Sequence, residues 1–112
     1  MSSSSLQIFK AEFFHALAHP IRIRILEVLG TGERSVQELQ QVLGLEQPIV
    51  SQQLAVLRAK NVVTPRKQGT TVRYALADPL VTRLLTVARE IFDNHLVDTQ
   101  SMLKELRRES RR

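Results

Sequence analysis

Apolar residues recur along the first half of this chain at helical spacing. Leu6, Phe9, Phe13 and Leu17 fall three or four positions apart, with Ala16 beside them and Phe14 widening the stripe, which predicts a helix over residues 6–18. Pro20 suits the first turn of a new helix, and Ile21, Ile25, Val28 and Leu29 form its inward face until Gly30 ends it. Arg22 and Arg24 are offset from that face and read as structural, and His19 reads as a support for the turn before Pro20. Ser35-Val36-Gln37-Glu38 is a capping box. It opens a short helix with Val36, Leu39, Val42 and Leu43 as apolar positions, closed by Gly44 as a left-handed cap. Pro48 begins a further helix on Val50, Leu54 and Leu57, which stops near Asn61.

The period then changes from helical to alternating. In VVTPRKQGTTVRYAL, Val63 and Pro65, then Thr70, Val72, Tyr74 and Leu76, share one side of a hairpin that turns near residues 67–69. Pro65 predicts that its strand is an edge. A last helix starts near Asp78-Pro79 and extends to about residue 106, with a bend or a break expected where Asp98, Thr99 and Gln100 interrupt its apolar face. The predicted class is mainly α with a small β-hairpin wing: a winged helix-turn-helix occupying residues 6–106, between a disordered leader (1–5) and a basic tail (107–112). The first and last helices carry more apolar surface than a domain this small can cover. They predict a homodimer interface built from Leu6, Phe9 and Phe13 on the first helix and Leu84, Ala88, Ile91, Phe92, His95 and Leu96 on the last.

The helix over residues 47–60 raises the functional question. Opposite its apolar stripe stand Gln47, Ser51 and Gln52, with Pro48 and Ala55 between them. A face exposed only to solvent would be rich in Glu and Lys. A low, uncharged, hydrogen-bonding face instead fits the major groove, about 12 Å wide, where amides pair with adenine and small apolar groups touch thymine methyls. Gln47, Pro48, Ser51, Gln52 and Ala55 are the expected base contacts. Gln53 lies nearer the buried edge and is expected either as a phosphate contact or as a structural hydrogen bond.

Charge sharpens this picture. The formal net charge is +5, and no acidic residue occurs between Glu46 and Asp78. That window holds Arg58, Lys60, Arg66, Lys67 and Arg73, which together with Thr70 are the expected phosphate or minor-groove contacts. Double-stranded operator DNA is the expected partner. The competing reading is a winged-helix protein-interaction module that does not read DNA, and the acid-free window counts against it. Cysteine is absent, which excludes disulfides and thiolate metal sites. No apolar run reaches the roughly 20 residues of a membrane span, so a soluble, cytoplasmic protein without a membrane partner is expected. No nucleophile–base grouping, phosphate loop or carboxylate pair points to catalysis, and no cofactor is expected.

FHALAHPIRIRIL (residues 14–26), SVQEL (35–39), IVSQQLAVLR (49–58) and RKQGTTVRY (66–74) occur in an order and spacing that resembles the ArsR/SmtB family of bacterial winged helix-turn-helix repressors. The resemblance covers roughly residues 10–90. It implies a homodimer held by the first and last helices, an operator bound by paired helix-turn-helix units, and repression altered by an effector. The family's metal sites do not carry over. The helix that would supply cysteines reads SVQELQQVLG. The Asp-x-His pair of the last helix is Asp78-x-Leu80 here, and His95-x-x-Asp98 sits several residues too far along. No metal is therefore expected. A small molecule, a partner protein or the regulator's own abundance remains as the controlling signal.

Overall fold

Among residues 3–111, which the computed structural model describes, the order of elements is α1 (Ser3–Leu17), α2 (Pro20–Leu29), β1 (Arg34–Ser35), α3 (Val36–Leu43), α4 (Gln47–Ala59), β2 (Val63–Gln68), β3 (Thr71–Leu76) and α5 (Leu80–Ser110). Local chemistry accounts for most of these boundaries. His19 is extended at the N-cap of α2, and its Nδ1 accepts the Ile21 N–H at 3.1 Å. Ser35 Oγ accepts the Glu38 N–H at 3.2 Å while Glu38 Oε1 accepts the Ser35 N–H at 3.1 Å, completing the capping box of α3. Gly44 closes α3 in the left-handed region, at φ 67°, where a side chain would be strained. Asn61 is also left-handed, at φ 59°.

The chain divides between Thr82 and Arg83 into two compact units. In the first, α2 is the central helix, packed against α1, α3, α4 and β3. That position buries Leu26 as well as the expected Ile25 and Leu29. Leu39 and Leu43 of α3 and Val50, Leu54 and Leu57 of α4 join them in the core, with Ala16, Leu17, Val62, Val63 and Val81. Val42 does not: it is largely exposed, because α3 has only two turns and Leu39 and Leu43, four apart, take its whole inner side. Gly30 is right-handed, at φ −63°, so conformational freedom is not what it provides. A Cβ there would lie 2.9 Å from Thr82 Oγ1, and it is this close approach that favours glycine.

The wing is a three-stranded antiparallel sheet in the order β1-β3-β2. Pro65 lies on the edge strand β2, where the lost N–H breaks no ladder bond. Gln68 pairs with Thr71, so the turn consists of Gly69 and Thr70, slightly later than expected. Gly69 takes the positive φ, 63°, that a two-residue hairpin turn needs at its first position. Strand β1 has no periodicity to announce it: two residues are too few, and it is recruited by pairing Arg34 with Tyr74 and Ser35 with Arg73.

Both termini are more helical than expected. α1 starts at Ser3 rather than at residue 6; Met1 and Ser2 lie outside the described residues. The second unit begins at Arg83, within α5, which passes through Asp98–Gln100 without a break and runs to Ser110. Thr99 Oγ1 donates to the His95 carbonyl at 2.9 Å, so its side chain is satisfied along the helix and does not break it. Arg112, at the end of the expected tail, lies outside the described residues.

Candidate nucleic-acid interface

α3 and α4 pack on each other across the Gly44 turn, where the Gly44 N–H donates to the Gln40 carbonyl at 2.8 Å. The apolar stripe of α4 is wholly consumed by the core: Val50, Leu54 and Leu57 are each 1% exposed or less. Helix geometry then dictates what faces outward. Gln47, Pro48, Gln52 and Ala55 are exposed and Ser51 is half-buried. Gln47 Nε2 donates to Ser51 Oγ at 2.7 Å, one turn along, so two of these polar groups are already ordered relative to each other. Val56, four residues after Gln52 and therefore on the same side, is also exposed, as is Ile49. Neither residue is among the contacts expected from the sequence. The signal was present, since both fall out of phase with the Val50–Leu54–Leu57 stripe.

Gln53 is half-buried, and its Oε1 accepts from Arg22 Nη1 at 3.0 Å. Of its two expected roles, the structural hydrogen bond is the one observed. Arginine can only donate, so the amide oxygen must face Arg22 and the NH2 is left as Gln53's remaining polar group. Arg22 also donates to the Ala16 carbonyl at 2.6 Å and the His15 carbonyl at 3.2 Å, in the last turn of α1, where carbonyls lack intrahelical partners. Arg24 donates to the Leu43 carbonyl at 3.0 Å. Both arginines are thus structural, as expected.

The basic residues sort into two kinds. Arg58 and Lys67 are exposed, without an ion-pair partner among the described residues, and Thr70 is exposed at the hairpin tip. Lys60, Arg66 and Arg73 are paired, with acids from outside the acid-free window. Lys60 Nζ lies 3.3 Å from Glu12 of α1. Arg66 grips Glu33 with Nε at 3.0 Å and Nη2 at 2.7 Å. Arg73 donates from Nη1 to Glu38 at 2.8 Å and from Nη2 to the Glu33 carbonyl at 3.1 Å, with Nε 3.7 Å from the Glu33 carboxylate. The hydrogen bond from Arg66 holds the Glu33 carboxyl below its ordinary range. The Ser35 N–H, with help from Arg73, does the same for Glu38, and Glu33 raises Arg66 in turn. The window free of acids in sequence is therefore not free of them in space. These acids come from 33 to 48 residues away, which no local pattern could reveal.

Among the expected interface residues of the first unit, Leu6 and Phe9 are exposed and Phe13 is half-buried, its ring 5.6 Å edge-on from that of Phe14. In the second unit Leu84 and Ala88 are half-buried, while Ile91, Phe92, His95 and Leu96 are exposed. Among the described residues no cluster of three or more His, Cys, Asp or Glu could hold a metal ion, and no helix is long and apolar enough to cross a membrane.

Comparison with known proteins places this geometry in context. Residues 19–64 match the family model described as bacterial regulatory protein, arsR family. An uncharacterized HTH-type transcriptional regulator of Mycobacterium tuberculosis, Rv0081, is 47% identical over 108 residues, which are 96% of this chain and 95% of that one. Its crystal structure superposes with a TM-score of 0.77, covering 84% of this chain and 95% of the other at 48% identity. The solution structure of Mb0332 from Mycobacterium bovis, described as a homodimeric winged helix-turn-helix DNA-binding domain, is 31% identical. It has a TM-score of 0.77 and covers 86% of this chain and 91% of its own. A biofilm growth-associated repressor of Agrobacterium fabrum is 41% identical over 76 residues, 68% of this chain and 65% of that protein.

Proposed function

Because this chain belongs to the ArsR family of bacterial regulatory proteins, we propose that it is a homodimeric transcriptional repressor that reads an imperfect inverted repeat in double-stranded DNA. The observation that carries this reading is the outer face of α4: its apolar stripe is buried, and what remains outward is neutral, low and rich in amides. Each protomer inserts α4 into a major groove. The two helices lie about 34 Å apart, one turn of the duplex.

Gln47, Ser51 and Gln52 read base edges, while Pro48, Ala55 and Val56 supply apolar contact. Arg58, Lys67 and Thr70 meet the backbone as they stand. Lys60, Arg66 and Arg73 do so only by exchanging a carboxylate for a phosphate, and Gln53 has its NH2 left to donate. The dimer covers the exposed Ile91, Phe92 and Leu96 of α5 and the exposed Leu6 and Phe9 of α1, large apolar groups that a monomer would leave in water. The signal is not a thiolate-bound metal, since the chain has no cysteine; a small molecule, a partner protein or the regulator's own abundance supplies it.

The test is footprinting on the DNA upstream of the protein's own coding sequence, followed by binding to the protected segment and to scrambled DNA at rising salt. A protected inverted repeat and a preference that persists as salt rises support the proposal. Equal binding to both sequences at every salt overturns it.

A further inference from the structure

Arg66 and Arg73 are direct cross-strand partners on β2 and β3. Like charges in register repel, and here a carboxylate lies between them: Glu33 takes both Nε and Nη2 of Arg66 and lies 3.7 Å from Nε of Arg73. Two facing guanidiniums around one anion are the arrangement that also suits a phosphate, whose oxygens accept from arginine in the same bidentate way. The two arginines are not equally committed. Arg73 is the more buried side chain and has Glu38 and the Glu33 carbonyl as further acceptors. Arg66 is more than half exposed, and Glu33 is its one ion-pair partner among the described residues.

We propose that Glu33 is an internal stand-in for DNA phosphate, occupying the Arg66–Arg73 site in the free protein and suppressing DNA binding wherever the wing is not seated well enough to displace it. This rests on the DNA-binding reading above and adds to it a residue that sets the margin between specific and non-specific binding. On random duplex, where no fixed docking geometry drives the exchange, Arg66 stays on Glu33 and contributes nothing to counterion release. Removing the carboxylate charge returns one cation, not two, because Arg73 keeps Glu38.

The experiment measures affinity of the full-length protein for a random-sequence duplex across a salt series, with Glu33→Gln, Arg66→Ala and the double variant beside the parent. Glu33→Gln tightens binding, by up to about fivefold for an exposed ion pair, and steepens the dependence of log K on log salt by about one. Arg66→Ala leaves the slope unchanged in the parent and removes about one from it in the Glu33→Gln background, a non-additivity that a purely structural ion pair does not produce. Parallel slopes for the parent and Glu33→Gln overturn the proposal, and so does an Arg66→Ala effect of equal size in both backgrounds. If protected operator is bound but random DNA shows neither effect, the Glu33 inference alone fails. If the parent binds no DNA at all, the functional reading fails with it.

Discussion

Arg22 and Gln53 meet through one hydrogen bond of 3.0 Å across thirty-one residues of sequence, and the same guanidinium holds the end of α1 through the His15 and Ala16 carbonyls. One side chain thus ties α4, the proposed recognition helix, to α1, whose Leu6 and Phe9 are exposed. The planar fork of arginine is what permits three acceptors in three directions, and lysine has no equivalent. Arg22→Lys is expected to lower stability by about 1–3 kcal/mol. The check is urea denaturation of parent and variant, where an unchanged midpoint would show that the three bonds contribute nothing net.

Gln52 is exposed on the outer face of α4 and makes no hydrogen bond to another described side chain. Gln52→Ala should leave folding intact and reduce the preference for operator over scrambled DNA by about 1–3 kcal/mol. Equal losses on the two sequences would remove it from the base-reading set.

Ser35 is buried and caps α3, at the junction of that helix with β1. Ser35→Ala leaves the Glu38 N–H without its acceptor and is expected to cost about 1 kcal/mol, within the usual 0.5–2 for an N-cap. Replacing it with Gly should cost less. Thermal or urea unfolding of the two variants in parallel distinguishes loss of the cap from general intolerance at the site.

Glu33 and Glu38 have folded-state pKa values below the ordinary glutamate value of 4.5. A group depressed in this way binds its proton more readily in the unfolded chain, so its stabilisation is complete above that value and lost as pH falls through the lowered folded one. Glu38→Gln should therefore be less stable than the parent at neutral pH, and the gap should close as the medium is acidified below 4.5. A gap that stays constant through that range would mean the carboxylate charge is not what matters.

Phe92 is 64% exposed in the single chain. Burying a side chain of this size is worth about 1.5–3 kcal/mol, so Phe92→Glu should weaken self-association at least about tenfold per copy. Sedimentation over a concentration series reads this directly. A variant that dimerises like the parent would place the interface elsewhere.

Much of this protein was legible in its residues because the causes are local. The capping box at Ser35, the left-handed Gly44, Pro48 near the start of α4 and the edge position of Pro65 each depend on neighbours a few positions away. The phase of Val50, Leu54 and Leu57 determined which face of α4 had to be outward before any contact was known. Tertiary structure alone decided which cations are free. Lys60, Arg66 and Arg73 stand in a stretch without acids, yet Glu12, Glu33 and Glu38 reach them from distant helices and loops. It also decided that Gln53 answers to Arg22, that Val42 is surface, and that two residues at 34 and 35 become a strand. Hydrophobic period and turn chemistry act over one turn of chain, whereas Coulomb attraction and strand pairing act between whatever the fold brings together.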